Sequence, residues 1–73
     1  MSKLPRVSGE AAASALKRCG FYLRRQHGSH LIMRRDVPFA QTVIPNHREL
    51  DPGTLRAILR QSGVSLEEFN RLL

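Results

Sequence analysis

The run Phe21-Tyr22-Leu23-Arg24-Arg25, rich in aromatic and β-compatible side chains, leads to the pair Gly28-Ser29, after which a second strand-like run begins, His30-Leu31-Ile32-Met33-Arg34-Arg35. A Gly-Ser pair at such a boundary is a tight-turn signal, and so short a connection joins only antiparallel neighbours. The chain is thereby constrained to hold a β-hairpin at its centre. After a turn-like segment, Asp36-Val37-Pro38-Phe39-Ala40, the residues Gln41-Thr42-Val43-Ile44 form a short third strand that Pro45 ends or confines to a sheet edge.

Helical patterns flank these strands. Ser8 caps a helix expected over residues 8–19, in which Ala11, Ala12, Ala15, Leu16 and Cys19 share one face, and Gly20 closes it in the left-handed conformation. Asp51 and Pro52 open a second helix with Leu55, Ile58 and Leu59 as its buried stripe, and Gly63 stops it. Ser65-Leu66-Glu67-Glu68 has the spacing of a capping box and starts a last short helix whose Leu66, Phe69, Leu72 and Leu73 lie at i, i+3, i+6 and i+7. The order α-β-β-β-α-α predicts an α+β fold: a small three-stranded antiparallel sheet with helices packed on one face.

At 73 residues, 41% of them hydrophobic, the chain suffices for one small core and is expected to be a single domain over 1–73, with no internal repeat or linker. A chain of this size buries about 60% of the surface it exposes when unfolded. It has no apolar run near the roughly 20 residues that span a bilayer. The start MSKLPRVSG lacks the apolar stretch of a signal peptide. The expected compartment is the cytoplasm, with no membrane partner. Cys19 is the single cysteine, so no internal disulfide can form, and its helical, alanine-rich surroundings read as those of a small buried hydrophobe.

Charge carries more information. Twelve Lys plus Arg stand against six Asp plus Glu, a net charge of +6, and ten of the twelve cations are arginine. That balance favours a polyanionic partner, because the planar guanidinium fork grips phosphate through two hydrogen bonds where a lysine offers a point charge. Strand alternation places His30, Ile32 and Arg34 on one face of the second strand and Leu31, Met33 and Arg35 on the other. If Leu31 and Met33 meet the helices, His30 and Arg34 face outward together, a proton-transferring imidazole beside a phosphate-binding guanidinium. In RNA such a base can take the proton of a 2′-hydroxyl, whose oxygen then attacks the neighbouring phosphorus while fixed cations stabilise the charge on the non-bridging oxygens. The chemistry requires neither a metal nor a cofactor. Tyr22, His27 and His47 are candidates for a second proton donor, and the sequence does not rank them.

Other chemistries fit less well. His27 and His30, with Cys19 or His47, match no zinc-ligand spacing, and Ser29 and His30, adjacent on a strand, point to opposite faces and do not form a nucleophile pair. Residues 55 to 73 have a helix-turn-helix outline, but the final helix opens on Glu67 and Glu68 and carries only Arg71 as a cation, which argues against DNA recognition.

The segments CGFYLRRQHGSHLIMRR, VIPNH and ELDPGTLRAILRQSGVSLEEFNRLL, in this order after a helix, are similar to the HicA family of bacterial toxins, small mRNA interferases. The most specific parts are Gly28-Ser29-His30, Val43-Ile44-Pro45-Asn46-His47, and Gly53-Thr54-Leu55 followed by Ile58-Leu59 and Gly63. The resemblance implies a double-stranded-RNA-binding-like fold, cleavage of mRNA, a catalytic His30, and neutralisation by a HicB-type antitoxin that covers the active site. Gly28, lacking Cβ, then permits both the tight turn and the close approach of substrate to the imidazole. The expected substrate contacts are Gly28, Ser29, Arg24, Arg25, Arg34 and Arg35, with Arg34 foremost because it shares a face with His30. Residues 36–40 are more apolar than the polar turn expected there, which favours contact with the antitoxin or self-association over contact with RNA. The alternative from another class is a non-catalytic RNA-binding module of the same fold, which reads A-form helices by shape and backbone contact.

Overall fold

The computed structural model describes residues 3–73. Its elements are α1 (Gly9–Lys17), β1 (Tyr22–His27), β2 (His30–Asp36), β3 (Phe39–Pro45), α2 (Pro52–Ser62) and α3 (Leu66–Leu72). The strands pair antiparallel in the order β1-β2-β3, so the predicted α+β layout is what the chain adopts.

Each helix boundary has a local cause. The Ser8 side chain accepts the Ala11 N–H at 3.0 Å, satisfying one of the orphan donors of the first turn. At the other end, Phe21 N–H donates to the Leu16 carbonyl and Gly20 N–H to that of Lys17, the bond pair of a Schellman turn, with Gly20 at a φ of 98°. Regular helix therefore ends at Lys17, before Cys19. Asp51 occupies the N-cap of α2 without a side-chain bond, and Pro52 supplies the helical φ; Gly63, at a φ of 73°, closes it. Ser65 caps α3 by accepting the Glu68 N–H at 3.1 Å, while the Glu68 carboxylate pairs with Arg71.

The core lies between the sheet and the helices. Leu31 and Met33 of β2 and Ala40, Thr42 and Ile44 of β3 point into it, meeting Ala12, Ala15 and Leu16 of α1, Leu55 and Ile58 of α2, and Phe69 of α3. Ala13 rather than Ala11 completes the buried side of α1. The Cα extent along the shortest axis is 17 Å, which accommodates one sheet and one helical layer and no more. The opposite sheet face is left open. All six β1 residues are exposed, because β1 is an edge strand that only α1 approaches on the helical side.

The expected turn over residues 36–40 shrinks to Val37-Pro38. Asp36 pairs with Phe39 and Arg35 with Ala40, so the sheet absorbs the remaining residues. Val37 and Phe39 are exposed at this hairpin tip, and no helix among the described residues is long and apolar enough to cross a membrane.

Candidate active site

Gly28 has a φ of 59° and Ser29 no positive φ, the signature of a type II′ turn, whose twist matches the right-handed twist of the strands it joins. Because the turn contains two residues only, His27 and His30 face each other across it as register partners. Cross-strand partners have Cβ atoms about 4.5–5.5 Å apart on one face. Leu31 and Met33 are buried under the helices, so the alternation of β2 turns His30, Ile32 and Arg34 to the open face, and His27 stands there with His30.

The turn is braced from two sides. The Gln26 side-chain amide donates to the Gly28 carbonyl at 3.2 Å, and Asn46 N–H donates to the Ser29 carbonyl at 2.6 Å. Asn46 follows Pro45, the register partner of His30, so the end of β3 clamps the hairpin that carries both imidazoles. The next residue binds the start of α1: Gly9 N–H donates to the His47 carbonyl at 2.9 Å. Residues 27–30, 45–47 and the first turn of α1 thus form one connected end of the molecule, a tie that no sequence period signals.

The four arginines expected beside His30 separate. Arg25 pairs in register with Ile32 and shares the open face, as a diagonal neighbour of His30 at about 7–8 Å. The register shifts between Leu23 and Arg25, which leaves Arg24 without a partner on the exposed edge strand. Arg34 is on the correct face but four residues along β2 from His30, roughly 13 Å at the strand rise. There its Nε bonds Asp36 Oδ1 at 2.9 Å, and its guanidinium lies 5.2 Å from the Phe39 ring. Tyr22 donates its hydroxyl proton to the same carboxylate at 3.1 Å, which places this side chain too at the far end of the sheet. Arg35 faces the helices. It sits 4.7 Å from the Phe21 ring and donates to the carbonyls of Pro38, Cys19 and Ser62 at 3.0, 3.4 and 3.5 Å. Arg34 therefore yields the place beside His30 to Arg25, and Arg35 ties the strand to the loops after α1 and α2.

Among the described residues no three His, Cys, Asp or Glu side chains converge as a metal site. Burial pushes the Cys19 thiol up from its ordinary range, partly opposed by the positive charge of Arg35 and reinforced by the Glu68 carboxylate. The thiol also donates to the Leu16 carbonyl at 3.3 Å, so Cys19 is a partly buried packing residue and a poor nucleophile.

A sequence model of the family described as HicA toxin of bacterial toxin-antitoxin matches residues 9–64, from the first residue of α1 to just past α2. The chain belongs to the HicA toxin family. No curated protein is a significant match to it. The HicA match includes the whole sheet and the Gly28-Ser29-His30 turn, and leaves α3 outside.

Proposed function

We propose that this HicA-family chain is the toxin of a toxin-antitoxin pair and acts as a metal-independent endoribonuclease on mRNA, with His30 as its general base. The observation that carries the reading is the position of His30: exposed, on the open sheet face, held by a turn braced from both sides. A neutral imidazole can accept a 2′-hydroxyl proton without prior ionisation by a metal. The freed 2′-oxygen attacks phosphorus and expels the 5′-oxygen, leaving a 2′,3′-cyclic phosphate and a 5′-hydroxyl end. Arg25, the nearest guanidinium on the face, stabilises the charge that collects on the non-bridging oxygens. Arg24, on the adjoining edge, holds a flanking phosphate. Gly28 and Ser29 present their backbone at the turn, where Gly28 supplies the positive φ that the two-residue connection needs.

The same face is where a HicB-type antitoxin acts. Covering His30 and Arg25 removes the base and the phosphate contact together. A partner that is itself acidic associates quickly with a chain of net charge +6, in a salt-sensitive way. Single-domain organisation over 1–73 and action in the cytoplasm, where mRNA is translated, complete the reading.

The test is cleavage of a defined single-stranded RNA by wild-type and His30→Ala protein, with EDTA present. The expected result is chelator-resistant cleavage that falls by about 10²–10⁴ in the variant, the range that one positioned acid-base group contributes. A wild-type protein that binds the RNA and leaves it intact would overturn the catalytic reading in favour of a binding module.

A further inference from the structure

We infer that His27 is the second catalytic group, the general acid that protonates the leaving 5′-oxygen; this rests on the cleavage reading above. Attack by a 2′-oxygen moves two protons. One leaves the 2′-hydroxyl as the new O–P bond forms, and one must reach the 5′-oxygen as the old P–O bond breaks, because an alkoxide is a poor leaving group. A single imidazole serves one of these oxygens at a time. The attacking and leaving oxygens lie roughly in line through phosphorus, so the two proton carriers have to stand on either side of the same phosphate.

The hairpin provides that arrangement. His27 and His30 are register partners across a two-residue turn, exposed on one face, with Cβ atoms about 4.5–5.5 Å apart. Imidazoles leaning outward from such a pair can flank a phosphate seated over the turn. Arg25, Ile32 and Pro45 are the other side chains of this end of the face, and the face's one carboxylate among the described residues, Asp36, is at the far end, held by Arg34 and Tyr22. No acid competes there for the proton that His27 carries. Tyr22 is excluded as the donor by its position at the far end of the sheet, and His27, unlike His47 in the loop after β3, is the register partner of His30.

The step balances as written. Neutral His30 accepts the 2′-hydroxyl proton, the oxygen lone pair forms the P–O2′ bond, the P–O5′ pair departs with the 5′-oxygen, and His27 imidazolium gives that oxygen its proton. Both histidines then return to their starting states by exchange with water.

A leaving-group substitution separates this role from a structural or binding one. Two RNA oligonucleotides are compared at the mapped cleavage site, one with the natural 5′-oxygen and one with a 5′-bridging sulfur, which departs as a thiolate without needing a proton. On the oxygen substrate His27→Ala is expected to lose about 10²-fold or more. On the sulfur substrate it should come within a few-fold of wild type, while His30→Ala stays impaired on both. Equal loss on both substrates, or no loss on either, would overturn the assignment of His27. A wild-type protein that cleaves neither would instead remove the underlying cleavage reading.

Discussion

Two glycines in the first turn of a helix answer the same substitution with opposite signs. Gly9 opens α1 and Gly53 lies next to Pro52 at the start of α2. Helix propensity alone favours alanine over glycine at both, by up to about 1 kcal/mol. A Cβ on Gly53 meets nothing within 4 Å, whereas one on Gly9 would stand 2.1 Å from the Pro45 carbonyl oxygen and 3.0 Å from Asn46 Cα. The obstacle at Gly9 is backbone, at a distance roughly 1.3 Å short of ordinary van der Waals contact. Relieving it means moving α1 away from the 45–47 loop. That incurs an overpacking cost of about 1–3 kcal/mol. It also weakens the Gly9–His47 hydrogen bond, worth about 0.5–1.5 kcal/mol. Set against the propensity gain, Gly9→Ala should lose about 2 kcal/mol and Gly53→Ala should gain up to about 1 kcal/mol. A chain of this length has roughly 4–11 kcal/mol in all. Urea unfolding of the two variants beside wild type reads the difference, since a changed midpoint at constant slope reports stability. The companion thermal shift for Gly9→Ala is a fall of roughly 10–15 °C. A Gly9→Ala protein that unfolds at the wild-type urea concentration or above would refute the claim that α1 is fitted against this loop.

Two further substitutions distinguish the arginines. Arg35→Ala should lower stability by about 1–3 kcal/mol in the same urea assay, since it removes carbonyl contacts and the stacking on Phe21, while cleavage per folded molecule stays near wild type. Arg25→Ala should leave the unfolding midpoint unchanged and weaken RNA binding, with the slope of log affinity against log salt reduced by about 0.7, the value for one phosphate contact on a single strand; binding titrations at several salt concentrations read it.

The legible features of this fold are those set by short-range chemistry. Ser8, Pro52 and Ser65 start helices, and Gly20 and Gly63 end them, because caps act on the backbone within a few residues. The Gly28-Ser29 turn is legible for the same reason. Strand ends are less so: Phe39 and Ala40 carry no local sign that Asp36 and Arg35 will claim them as partners, and the extension of β3 becomes visible only in the register. The bulge after Leu23 is equally silent, and with it the fact that Tyr22 stands opposite Arg34 on the open face.

Arg34 and Arg35 show where sequence reasoning about the site runs out. Period-two alternation separates them correctly, one toward solvent and one toward the helices. Alternation reports a face and says nothing of distance along it. Arg34 shares a face with His30, yet its nearest acidic neighbour is only two residues away, and Asp36 holds it at the end of the sheet remote from the turn. His27 was in reach of the same arithmetic and needed one more step. In a hairpin whose turn has two residues, the flanking residues must be opposite each other, so a His-x-x-His spacing that fails as a zinc motif places two imidazoles side by side on a solvent-facing sheet. The spacing becomes informative once the turn between the histidines is known, because turn length, unlike composition, decides which side chains can act on one phosphate.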